Sequence, residues 1–160
     1  MSIDEFHSLE SYCRKVVTMS DAAANKAILK QAFDLWHETK GDSVDHWMSI
    51  MADTVDFRSL ADGKPGLEFT ARRRSKAEVG EYMSGLLAMF EMISYTVDFY
   101  VAEGDRVIAI GSTSWRNRQT GEPFDTPKSD AVRFKDGKII EFFEIYDTAV
   151  VMACAGGAAP

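Results

Sequence analysis

The chain has 160 residues, with 18 lysines and arginines against 25 aspartates and glutamates, a formal net charge of −7. That length fits one domain over residues 1–160 with a core of its own, and the acidic balance excludes a nucleic-acid polyanion as the main partner, since such binding rests on clustered basic side chains. Cys13 and Cys154 stand at opposite ends in no zinc or redox spacing, and no stretch is long and apolar enough to cross a bilayer, so a cytoplasmic protein with no membrane partner is expected.

From Ile3 to Val17, the residues Phe6, Leu9, Cys13, Val16 and Val17 recur at three- and four-residue steps, which predicts a leading helix over 3–17. Ser20 and Asp21 offer N-cap oxygens to a second helix with the stripe Ala24, Ile28, Ala32, Leu35 and Trp36 and with Gly41 as its stop. Asp42 and Ser43 cap a third, ending near Asp53, with Val44, Trp47, Met48 and Met51 turned inward. In VDFRSL, Val55, Phe57 and Ser59 alternate with Asp56, Arg58 and Leu60, the period of a half-buried strand. A loop with Gly63, Pro65 and Gly66 follows. The basic run Arg72, Arg73, Arg74 and Lys76 then stands before a helix N-terminus, and an anion site, a latch or plain solvation are all open to it. Ser75 and Glu78 form a capping box for a helix carrying Val79, Tyr82, Met83, Leu86, Leu87 and Phe90.

Beyond this helix the period becomes two. Ile93, Tyr95, Val97, Phe99 and Val101 share one face, and Glu103, Gly104 and Asp105 turn the chain into RVIAIGSTSWRNR, predicting a long hairpin. KSDAVRF, the turn KDGK and IIEFFEIYD complete the sheet, and the tail ACAGGAAP is expected to fray. Helices first and antiparallel strands afterwards describe an α+β domain whose helices cover the apolar face of a curved sheet.

Asp130 is the sharpest chemical candidate. It is in phase with Val132 and Phe134, so its carboxyl points to the apolar side, where lost hydration raises its pKa and suits it to act as a base or as a neutral donor to an oxyanion. Glu144 is in phase with Ile140, Phe142 and Tyr146, a second inward acid, and two acids facing one cavity can divide the roles of acid and base. The plainer readings are a structural Asp130 satisfied by Lys128, Arg133 or backbone amides, and a Glu144 at the rim or at a subunit contact. Trp36, Trp47, Met51, Met83, Leu87, Phe90 and Trp115 line a cavity or pack beneath it. His37 ends one helix and His46 opens the next without a metal-binding spacing, so no metal is expected.

The order of three helices, a short strand, one helix and long strands ending in DGKI…YD resembles the nuclear transport factor two-like (NTF2-like) fold, which includes ketosteroid isomerases and SnoaL-like polyketide cyclases. The resemblance covers roughly residues 22–150 and is carried most by Arg73–Glu91 and by SDAVRFKDGKIIEFFEIYD. It implies a cone with a largely apolar cavity, a small hydrophobic ligand, no cofactor, and a functional aspartate at Asp130. It also sets Phe33 where the isomerase oxyanion tyrosine stands and Ser59 where its base stands, and neither can do that residue's work. Phe57, Ser59, Phe142 and Tyr146 join the pocket residues that the resemblance implies. The implied activity is a cofactor-independent isomerase, cyclase or lyase; the alternative is a non-catalytic ligand-binding or dimerisation module. A homodimer through the outer sheet face, with Tyr100, Ile108, Ile110, Phe143 and Ile145, is the expected assembly.

Overall fold

The computed structural model describes residues 3–156, with side chains from residue 21 onward. One helix, α1 (Ile3–Glu38), replaces the two expected before Gly41. Ser20 and Asp21 sit inside it, because the three alanines that follow favour helix whether or not a cap begins there. The inward stripe expected over residues 3–17 lies outside the described side chains. Further on, Leu29, Ala32, Phe33 and Trp36 are buried, while Ala24 is exposed and Leu35 only half-buried. Ala32 and Trp36 thus face inward as expected, while Leu29 and Phe33 take the places expected of Ile28 and Leu35. Each such burial is worth roughly 1.5–3 kcal/mol.

A short helix, α2 (Val44–Ile50), ends earlier than expected, and Met51 opens β1 (Met51–Ser59) instead of closing the helix. The loop after it contains a 3-10 turn over Glu68–Thr70 and a three-residue strand, β2 (Arg73–Ser75). Helix α3 (Lys76–Met89) starts at the expected capping box, in which Glu78 N–H donates to Ser75 Oγ and Ser75 N–H donates to Glu78 Oε2. The long strands β3 (Phe90–Glu103), β4 (Arg106–Asn117), β5 (Pro123–Lys135) and β6 (Lys138–Tyr146) follow. Together they form a six-stranded curved sheet in the order β2-β1-β6-β5-β4-β3, antiparallel except where β1 runs parallel to β6. The fold is the expected α+β cone, with α1 laid against β3 and β4.

The phase expected for β3 holds over only part of the strand. Extra residues at Ile93 and Asp98 break its register with β4, so Ile93, Phe99 and Val101 are exposed while Met92 and Tyr95 are buried. Gly111 faces the second break, where a Cβ would strike the Thr96 carbonyl oxygen. The β5–β6 register also slips after Arg133, which turns Ile139 inward in place of Ile140. The tail does not fray at ACA. Thr148–Ala155 form helix α4, capped by Asp147 Oδ1 accepting from the Ala149 and Val150 N–H groups, and its Val151 and Met152 are buried. Residues 157–160 lie outside the described part. Cys154 is a free thiol, and no helix among the described residues is long and apolar enough to cross a membrane.

Candidate functional site

Helix α1, α3 and the inner faces of β3 to β6 enclose a cavity of about 70 Å³, room for several waters. Its walls are mostly aromatic. Phe33, Trp36, Trp47, Met83, Trp115, Phe142 and Tyr146, all pocket residues expected from the sequence, line it. Met51, Phe57 and Leu87 do not line it: Met51 and Phe57 are buried in the core beside it, and Phe57 stacks on Phe142 with ring centroids 4.9 Å apart. Ser59 is also set back from the cavity, and its hydroxyl shares a 2.6 Å hydrogen bond with the Tyr146 hydroxyl.

The polar end is built on β5 and β6. Asp130 and Glu144 are register partners, so the pleat puts both on the inner face, and Lys128, two residues before Asp130, shares that face. Lys128 Nζ lies 3.0 Å from Asp130 Oδ1 and 3.4 Å from Glu144 Oε1, with 8% of its side chain exposed against 3% and 13% for the two acids. Two tyrosines complete the group. Tyr95 donates its hydroxyl to Asp130 Oδ2 at 2.6 Å, and Tyr82 donates to Glu144 Oε2 at 2.7 Å. The ammonium also faces the rings of Tyr95 and Tyr146, at 5.5 and 5.7 Å. Asp130 Oδ1 receives no hydrogen bond of good angle, so its contact with Lys128 is an ion pair only.

Asp130 differs from Glu144 in its place. Lys128, Tyr82, Tyr95, Glu144 and Tyr146 reach the cavity wall, whereas Asp130 stands behind Tyr95 and Lys128. Burial pushes the Asp130 carboxyl above its ordinary range, against the pull of Lys128 and the Tyr95 hydrogen bond. Desolvation works to lower the Lys128 pKa, but Asp130 and Glu144 together outweigh it and hold the amine protonated. Burial raises Tyr82 and Tyr95 well above a free phenol, and Tyr146 is pushed up to about 12. All three therefore remain hydroxyl donors at neutral pH. One ammonium between two acids leaves the group one negative charge in excess when both acids are ionised, and the tyrosine hydroxyls hydrogen-bond to both acids.

The basic run is occupied locally. Arg72 makes a two-pronged contact to Asp56 at 2.6 and 2.7 Å, Arg73 lies 3.6 Å from Glu81, and Lys76 lies 3.0 Å from Asp53. His37 stands outside the cavity with its Nδ1 accepting the Tyr95 backbone N–H at 3.1 Å. The outer face carries Ile108, Ile110 and Phe143 half-buried and Ile145 exposed, with the Arg58 guanidinium 4.8 Å over the Phe143 ring, whereas Tyr100, expected there, pairs with Ala109 in line with Asp130 and so lies on the inner face with its hydroxyl buried.

A family model described as a SnoaL-like domain matches residues 29–142, which holds α2, α3, β1 to β5 and most of the acid cluster's scaffold. The chain belongs to the SnoaL-like family. No curated protein matches the sequence at a significant level. Among solved structures, this SnoaL-like chain is similar to an NTF2-like protein from Burkholderia xenovorans LB400, with 19% identity, a TM-score of 0.70, and coverage of 84% of this chain and 97% of that one. A protein from Jannaschia described as a SnoaL-like polyketide cyclase shows 16% identity and a TM-score of 0.66, covering 86% and 94%. A Catenulispora acidiphila protein of ketosteroid isomerase-like fold, in complex with trimethylamine, shows 16% identity and a TM-score of 0.66, covering 82% and 94%. At these identities the likeness is one of fold.

Proposed function

We propose that the protein binds a small, mostly apolar carbonyl compound in the cone and moves a proton on it without a cofactor. The observation behind this reading is the buried Lys128 held between Asp130 and Glu144 at the charged end of an aromatic cavity. An ammonium has three N–H donors, of which two face the acids, leaving one for a ligand oxygen. Glu144 at the wall takes a proton from the carbon beside the carbonyl, the electron pair moves to the oxygen, and Lys128 stabilises the resulting enolate. Glu144 then returns the proton to carbon or oxygen. Asp130 acts through its neighbours, fixing Lys128 and the Tyr95 hydroxyl.

Acetophenone in D₂O tests this, since its methyl protons exchange for deuterium only if a base removes them, and NMR reads the exchange directly. The expected result is catalysed exchange that falls by roughly two to four orders of magnitude in Glu144→Gln and by much less in Asp130→Asn. Binding without exchange would instead support a non-catalytic module, which the mutual satisfaction of both tyrosine–carboxylate pairs favours as second reading. For assembly we propose a homodimer through the outer sheet face; a monomer mass by sedimentation at micromolar concentration would refute it.

A further inference from the structure

We propose that His37 is a positioning residue for Tyr95, setting from outside the cavity whether the Tyr95 hydroxyl reaches Asp130. This rests on the reading of Tyr95 as part of the site. Tyr95 is on β3, an edge strand with no strand beyond it among the described residues, two residues after the extra residue Ile93. An extra residue resets which face the following side chains take, and a slip of one residue there would turn the phenol to the other face.

Three side chains claim the backbone there. His37 Nδ1 accepts from Tyr95 N–H at 3.1 Å, Lys40 Nζ donates to the Ile93 carbonyl at 2.9 Å, and Thr113 Oγ1 donates to the Ser94 carbonyl at 3.0 Å. Thr113 belongs to the paired strand β4, so among the described residues the outward side is tied by His37, in the last turn of α1, and Lys40, in the turn after it. An unpaired edge N–H is otherwise left to water. The same helix end supplies Phe33, whose ring stacks on Tyr95 with centroids 5.0 Å apart and planes 12° from parallel. Backbone and ring of Tyr95 are thus both fixed to α1 while its hydroxyl is spent on Asp130. His37 itself lines a separate outer groove with Asp34, Glu38, Thr96 and Val97, on the far side of the Phe33–Tyr95 stack. Its role is therefore one of placement.

Side-chain geometry provides the test. Asparagine carries its Oδ1 where histidine carries Nδ1, while the glutamine carbonyl lies one bond further out, so His37→Asn keeps the acceptor and His37→Gln misplaces it. With ¹³C-labelled tyrosine, the Tyr95 signal, assigned by its loss in Tyr95→Phe, is expected to move in His37→Ala and His37→Gln and to return in His37→Asn, the other tyrosines staying in place. A Tyr95 signal unchanged by the alanine and glutamine variants, or displaced equally by the asparagine variant, overturns the proposal. Should His37→Ala fail to fold, the asparagine and glutamine pair still decides. The second readout is acetophenone affinity, expected to fall about tenfold in His37→Ala and His37→Gln and to stay within about threefold in His37→Asn. If acetophenone does not bind the wild type, the proposed function fails, and the Tyr95 signal alone judges His37.

Discussion

Strand β5 carries the same ionic arrangement twice, once on each face. On the outside Arg133 joins Asp105 at 2.7 Å and Glu141 at 3.0 Å; on the inside Lys128 joins Asp130 at 3.0 Å and Glu144 at 3.4 Å. Each is one cation between two acids. Their exposures differ: 38% for the Arg133 side chain against 8% for Lys128. Outside, the hydrogen bond from Arg133 comes first and draws the Asp105 carboxyl below its usual range. Inside, burial comes first and pushes Asp130 up. The partners are alike, so the solvent they have lost decides whether an acid's affinity for its proton falls or rises.

Removing the two cations separates the cases most widely. Lys128→Met leaves two acids buried without a counter-charge and is expected to cost about 3–5 kcal/mol in urea unfolding, while Arg133→Met leaves its acids wet and should change the midpoint within experimental scatter. Equal losses would erase the distinction. The next effect is smaller: Tyr95→Phe withdraws the one hydrogen bond of good angle that the described residues give the Asp130 carboxyl and should cost about 1–3 kcal/mol by the same method, with the hydroxyl of the more accessible Tyr82–Glu144 pair costing less.

Acidification gives the smallest effect and the clearest sign. Asp130 is raised in the fold, so its contribution is fully present below the unfolded value near 3.8 and is lost as pH rises through the folded value; Asp105 is lowered, so its contribution is present above 3.8 and is lost as pH falls. Between pH 6 and 3, wild type should therefore gain stability relative to Asp130→Asn and lose it relative to Asp105→Asn. Slopes of the same sign in the two denaturation series would contradict the assignment.

Alternation alone placed Asp130 beside Val132 and Phe134, and all three are buried. The same period puts Lys128 on that face, but a lysine is almost never buried unless paired, and its pairing with Glu144 depends on a strand register that turn residues only partly specify. Tyr82 shares the α3 stripe with Val79 and Met83 and reads as packing until Glu144 is set across from it. Tyr95 needed the register breaks of β3, which leave no mark in its alternating residues; only Gly111 on the facing strand hints at one. Helix α4 was hidden because VVMACA is apolar without a stripe, and the glycines behind it suggest a loose end.

The two breaks in β3 also govern how the molecule meets other chains. An edge strand invites addition of a foreign strand wherever its outer backbone groups are free and its course is regular. The first half of β3 is poor in both respects, with Tyr95 already bonded to α1 and Ile93 to the turn behind it, and with the run between the breaks only four residues long. Past Asp98 the ladder to β4 runs unbroken from Phe99 to Glu103, and Phe99 and Val101 stand about half exposed. Unwanted strand exchange or fibril seeding would thus begin at this five-residue stretch, where a lysine in place of Val101 would act as a gatekeeper far from the cavity.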